Sequence, residues 1–256
     1  MIPKYVPPLT NLTVLVTRPQ PQCGVLCAEI ERQGGLAVPL PAIVIRPLEG
    51  ATVEHADLVV FLSIHAVEHG ARLVQPRTGA RIAAIGRATA AALEAADLRA
   101  DIVPTAGFDS EALLAHPALE GARLQRIVIV RGEGGRELLR ETLASRGALV
   151  ETREVYRRER PEIDSAALER IESLWADAGV DVVSLTSVQT LEHLQDMLSP
   201  RGRELLRDTV LLVASRRIME AARAAGLKGD GVIAPGADDA AMVGALARWR
   251  ARARCP

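Results

Sequence analysis

Tyr156 is one of only two tyrosines and stands in the extended segment Glu154-Val155-Tyr156-Arg157-Arg158. A phenol with an ordinary pKa of about 10 keeps its proton at neutral pH, so it can hand a hydrogen bond or proton to a leaving hydroxyl without any shift. A half-buried strand aromatic is the plain structural alternative. Other candidate groups lie in short polar turns. They read Thr17-Arg18-Pro19-Gln20, Ser63-Ile64-His65-Ala66, Gly86-Arg87-Ala88-Thr89 and Ala106-Gly107-Phe108-Asp109-Ser110, then Arg131-Gly132-Glu133-Gly134-Gly135-Arg136, Thr186-Ser187-Val188-Gln189, Ser215-Arg216-Arg217 and Gly236-Ala237-Asp238-Asp239. One such turn is an ordinary helix cap. A whole set facing a common cleft, several carrying Arg, suggests a small polyanionic ligand held by guanidinium groups and free backbone N–H groups.

Two motifs that invite a cofactor do not hold together. A dinucleotide loop starting at Gly132 needs Gly at position 137, where Glu137 stands. His65-Ala66-Val67-Glu68-His69 matches an inverted zinc-protease pattern, but its copy reads Gln189-Thr190-Leu191-Glu192-His193, so Glu68 and His69 are read as features of the helix, and with no third ligand evident zinc hydrolysis is set aside. No Gly-x-Ser-x-Gly elbow or phosphate loop ending in Lys occurs, which removes the commonest hydrolase and nucleotidase chemistries. The reading is of a chain with no metal and no cofactor.

These groups need a scaffold, and the chain can build one: 256 residues at 48% hydrophobic describe a soluble globular protein. The 31 basic and 32 acidic residues nearly cancel, and two residues each of Trp, Tyr and Phe leave little for base stacking, so nucleic acid is not an expected partner. Lys occurs only at 4 and 228, making the other basic residues Arg; most of these are expected on solvated helix faces. Apolar runs such as Ile127 to Val130 fall far short of the roughly 20 residues that span a bilayer, and no signal segment opens the chain. Cys23, Cys27 and Cys255 lack framework spacing. A cytoplasmic monomer with reduced thiols and no membrane contact is expected.

The second half of the chain echoes the first. Val14 to Pro19 and then Gly34 have their counterpart in Val128 to Gly132 and then Gly147, with Arg18/Arg131 and Gly34/Gly147 both 113 apart; Asp57 to Ser63 and Glu68-His69 match Asp181 to Ser187 and Glu192-His193 at 124; Ala84 to Leu98 matches Val213 to Leu227 at 129. Each unit is a β-rich apolar run, a polar turn and an amphipathic segment, as in Leu138, Leu139, Thr142 and Leu143 before Gly147. Such alternation predicts α/β architecture with two similar parallel-sheet domains, flavodoxin-like, produced by an internal repeat. The repeat alone would cut the chain between Glu120 and Gln125. Pro39 to Pro47 and Glu151 to Arg160 read as strands bridging two lobes.

At its turns the chain resembles the uroporphyrinogen-III synthase family. The matching segments are Val16-Thr17-Arg18-Pro19, Phe61 to Val67, Ala84 to Ala90, Gly107 to Glu111, Val130 to Glu137 and Glu154 to Arg158. The resemblance implies discontinuous domains, with 1–38 and 161–256 forming the first, 47–150 the second, and 39–46 and 151–160 a two-stranded linker. It implies a cofactor-free lyase of tetrapyrrole (haem, sirohaem) biosynthesis. Its substrate would be hydroxymethylbilane, a small molecule with eight carboxylates, which loses water, inverts its last pyrrole ring and closes as uroporphyrinogen III. Ser63, Thr89 and Tyr156 match positions proposed to contact substrate in the family, with Tyr156 the catalytic candidate. The full set of candidate substrate-binding residues is Arg18, Ser63, His65, Ala66, Thr89, Arg131, Gly132, Gly134, Ser187, Ser215, Arg216 and Arg217. The chain departs from the family pattern twice. Family members commonly have Asn where His65 stands, and many have Gly-Pro-Thr-Thr in place of Ser215-Arg216-Arg217-Ile218. A non-catalytic two-lobed module for a polyanion is the alternative reading.

Overall fold

The fold is given by a computed structural model that describes residues 6–253 apart from 51, 54, 75–78, 106, 108 and 122–124. Ala106, Phe108, part of the expected cut near 120 and Cys255 therefore lie outside the described residues. The chain opens with β1 (Thr13–Val16), α1 (Gln22–Arg32), β2 (Leu36–Pro39), β3 (Val44–Pro47), β4 (Leu58–Phe61), α2 (Ile64–Gly70), β5 (Arg81–Ala84) and α3 (Arg87–Ala95). It continues through α4 (Ser110–Leu114), α5 (Pro117–Glu120), β6 (Arg126–Gly132), α6 (Leu138–Ser145) and β7 (Leu149–Glu159). The last stretch is α7 (Ser165–Leu174), β8 (Val182–Leu185), α8 (Val188–Met197), α9 (Pro200–Asp208), β9 (Val210–Val213), α10 (Arg216–Ala224), β10 (Gly231–Ile233) and α11 (Asp239–Ala253).

Two compact units result, one made of the residues up to Val44 and from Glu159 onward, the other of Ile45–Arg158. The sheet of the first unit has the order β10-β9-β8-β1-β2, parallel throughout. In the second unit the order is β3-β7-β6-β4-β5, with β7, β6, β4 and β5 parallel. A parallel bridge from Ala83 to Ile102 extends its β5 edge. Under the offsets of the sequence, corresponding strands stand in the same order in both sheets.

Parallel strands covered by helices on both faces must be apolar along their whole length. Strand β4 meets this requirement: Val59 and Phe61 pack with Ala66, Val67 and Leu93 on one face, Leu58 and Val60 with Leu113, Leu139 and Leu143 on the other. In the first unit β1 does the same, sending Val14 and Val16 toward α1 and α11 and Leu15 toward α8 and α10. Gly34 and Gly147, 113 positions apart, follow α1 and α6 at φ 83° and 91°, the left-handed conformation that stops a helix at little cost to glycine.

The structure corrects two boundaries. A cut at 120–125 would separate β4 from β6, which pair from Leu58↔Ile127 to Phe61↔Val130. Residues 151–160, expected as part of a two-stranded linker, lie mostly within β7, which pairs with β6 from Leu149 to Tyr156 and has β3 on its other side. Pro39, the first residue of the other expected linker strand, closes β2 in the first unit's sheet. Without β7 and β3 the apolar strand β6 would be an open edge, which is why these residues are drawn into the sheet.

Candidate functional site

In the second unit the connections run outward in opposite directions from β4 and β6, and in the first from β1 and β8. Groups gather beyond the carboxyl ends of such neighbouring strands, where helix N-termini expose N–H groups. Ser63 follows β4 with an extended backbone, and its Oγ caps α2 by accepting the Ala66 N–H at 2.9 Å. Strand β6 ends at Gly132, where a register shift between Arg131 and Gly132 sets Gly132 opposite Tyr156. A Cβ on Gly132 would lie 2.6 Å from Tyr156 Cζ and 2.9 Å from its Oη, so the ring occupies the space a side chain would need.

Tyr156 is 1% exposed, more buried than a half-buried strand aromatic. Its hydroxyl is not idle. Tyr156 Oη lies 3.0 Å from Ser63 Oγ and accepts an N–H from Arg158 Nη2 at 3.0 Å. The Arg158 guanidinium is 5.4 Å from the ring centroid, the His65 ring meets it edge-on at 5.6 Å, and the His69 ring lies at 6.1 Å. A phenol oxygen can accept two hydrogen bonds and donate one. With Ala66 N–H on Ser63, the Ser63 hydroxyl can give its proton to Oη, and Arg158 supplies the second. The phenol's own hydrogen is then free to be donated, and a phenolate left by its departure keeps two donors, one of them charged. Arg158 was not among the candidates. Alternation along β7 puts it on the same face as Tyr156, a signal that becomes usable once the strand is known.

Other candidates take different places. Arg131, read as a ligand for substrate, is turned inward: its Nη atoms bond to Gly135 O at 3.3 Å, Arg136 O at 3.1 Å, Glu137 at 2.6 Å and Glu154 at 3.2 Å. With these partners the guanidinium is buried and tied to the 133–137 loop. Bonds from Arg140 and Arg131 hold the Glu137 carboxyl below its ordinary value. Ala66, one of the candidate substrate contacts, is fully buried and its N–H is committed to Ser63. Gly134 sits at φ 70° with open space where a side chain would be. Thr89 is 3% exposed in α3, whose cap Gly86 has no side chain to occupy the first-turn N–H groups.

In the first unit Arg18, after β1, is paired with Asp239 in the first turn of α11. Burial pushes the Asp239 carboxyl up, and Arg18 opposes that rise. Sequence alone gave no sign of this partner. Ser187 caps α8 through the Thr190 N–H at 3.0 Å and meets Thr190 Oγ1 at 2.8 Å. Ser215 occupies the cap position of α10 without making a side-chain cap bond. Arg216 and Arg217 follow it, exposed and, among the described residues, without a hydrogen bond or ion pair. An uncapped helix start beside two unengaged guanidiniums is suited to an anion.

His65, Glu68 and His69, set aside as ligands on the sequence, converge: each offers a ligand atom, and these atoms lie within 4.8 Å of one another. No described helix is long and apolar enough to cross a membrane.

The family described as uroporphyrinogen-III synthase HemD matches this chain over residues 25–244. The uroporphyrinogen-III synthase of Salmonella typhimurium is 37% identical over 261 residues, covering 92% of this chain and 100% of its own. That of Escherichia coli is 34% identical over 250 residues with the same coverage. Among solved structures, the Helicobacter pylori synthetase aligns with a TM-score of 0.62 at 10% identity, over 95% of this chain and 99% of that one. A mutant Thermus thermophilus synthase aligns at 0.59 and 19%, over 95% and 100%. These two likenesses concern the fold alone. The extent of the sequence matches shows that the chain belongs to the uroporphyrinogen-III synthase family.

Proposed function

We propose that the protein cyclises hydroxymethylbilane to uroporphyrinogen III, with loss of water and inversion of the last pyrrole ring. The observation that carries this reading is the Tyr156 hydroxyl held between Ser63 Oγ and Arg158 Nη2. The bilane's terminal hydroxymethyl group must lose hydroxide, and Tyr156 supplies the proton that turns it into water. Ser63 and Arg158 stabilise the phenolate until a proton returns from the closing macrocycle. Groups suited to a carboxylate stand in each unit taken by itself: Arg216 and Arg217 with the N–H groups opening α10 in the first, and the N–H groups opening α3 in the second. Holding the flexible chain so that uninverted closure is disfavoured supplies the remainder of the acceleration.

The reading includes two units that are copies of one flavodoxin-like domain, supported by the matching strand order, and a cytosolic location, supported by composition and cysteine spacing. The test is to supply hydroxymethylbilane to the purified protein in the presence of a chelator, oxidise the products and resolve the isomers. Type III product above the spontaneous background is expected. Tight binding of the bilane with only type I product would instead favour the non-catalytic module.

A further inference from the structure

We propose that His65, Glu68 and His69 form a site for a divalent transition-metal ion of the zinc type, whose occupancy slows turnover at Tyr156. Helix α2 sets the three residues on one face, with the two imidazoles a turn apart and the carboxylate between them in sequence. Their ligand atoms lie within 4.8 Å of one another, so small side-chain rotations bring all three onto one cation. His65 Nδ1 and Glu68 Oε2 are already 2.7 Å apart, sharing a position that a cation can take. Two imidazoles and one carboxylate suit zinc rather than magnesium or calcium, and three protein ligands leave a fourth position open. Glu68 is exposed, which gives the ion an approach from solvent.

The arrangement is not imposed by the fold. In the corresponding helix α8, Gln189 stands where His65 does, and His193 bonds to Ala42 O at 3.0 Å. The two described thiols are poor competitors for the ion, since burial pushes Cys23 up to about 12 and raises Cys27 as well. Both imidazoles border the Tyr156 ring, at 5.6 and 6.1 Å, so a cation there locks His65 and His69 beside the phenol and obstructs the approach of substrate to it. The slowing of turnover rests on the role given to Tyr156 above; the binding of the ion does not.

The experiment is equilibrium dialysis of chelator-stripped protein against zinc, with bound metal counted directly and turnover measured on the same samples. One zinc per chain is expected at this site, with turnover falling as it fills. His65→Asn and His69→Ala, checked for unchanged melting temperature, should each weaken binding by about tenfold or more and relieve the inhibition in parallel. Zinc bound equally well by wild type and both variants would overturn the site, and zinc lost in the variants without any change in wild-type turnover would overturn the brake. If stripped wild type makes no product at all, the function proposed above fails, while the dialysis still decides the site.

Discussion

Arg216 and Arg217 open α10 side by side with no internal partner among the described residues, whereas Arg131 is locked among Glu137, Glu154 and two carbonyls. In the sequence all three are simply Arg after an apolar run. The difference comes from which carboxylates fold onto them, a long-range fact that spacing cannot carry. Arg217→Ala should therefore raise KM about tenfold with a smaller effect on kcat, the loss of one charge-assisted bond of about 1.5 kcal/mol. Arg216, exposed and equally without an internal partner among the described residues, should behave alike: Arg216→Ala should raise KM and leave the melting temperature unchanged. Unchanged kinetics and unchanged melting temperature in Arg217→Ala would remove it from the binding surface. Tyr156 was legible because its type and rarity marked it; Arg158, two residues on, was hidden beside Arg157 until the strand phase was fixed.

Helix α9 shows how an element is held by one buried carboxylate. Glu172 of α7, 4% exposed, accepts from the Ser199 N–H at 2.9 Å and from Ser199 Oγ at 2.5 Å, and Ser199 Oγ in turn caps α9 through the Gly202 N–H at 3.1 Å. Gly202 lies so close that a Cβ there would overlap the Glu172 carboxylate. Glu172→Ala should cost about 1–3 kcal/mol in urea unfolding, because the Ser199 donors lose their acceptor. Gly202→Ala should also destabilise, but less so in the Glu172→Ala background, where the clash is gone. Strict additivity of the two would contradict this account of the contact. The strand, turn and helix succession was readable from apolar runs and glycine stops such as Gly147. The membership of β7 in a sheet was not, because a charged, extended segment looks the same in a linker and along a strand with one accessible face.

At the scale of the whole molecule, the chain crosses between units: β1 and β2 complete the sheet of β8, β9 and β10, while β6 and β7 complete that of β4 and β5. The repeat was visible in the offsets, yet it suggested a cut that the pairing forbids. A fragment spanning 45–158 contains an entire sheet and both of its cores, and should unfold cooperatively in urea. Fragments cut at 124 should not, since 1–124 lacks β6 and β7 of one sheet and β8, β9 and β10 of the other, and 125–256 lacks their partners. A cooperative transition in the 1–124 fragment would mean that the sheets are assembled differently. Sheet order, helix cap and glycine gap converge on one atom, Tyr156 Oη. The most direct measurement is kcat for type III product in Tyr156→Phe, set against the variant's affinity for product. A fall in kcat on the order of 100-fold with product binding changed less than about threefold is the predicted result. Wild-type kcat in a folded Tyr156→Phe protein would contradict the assignment of the phenol as proton donor.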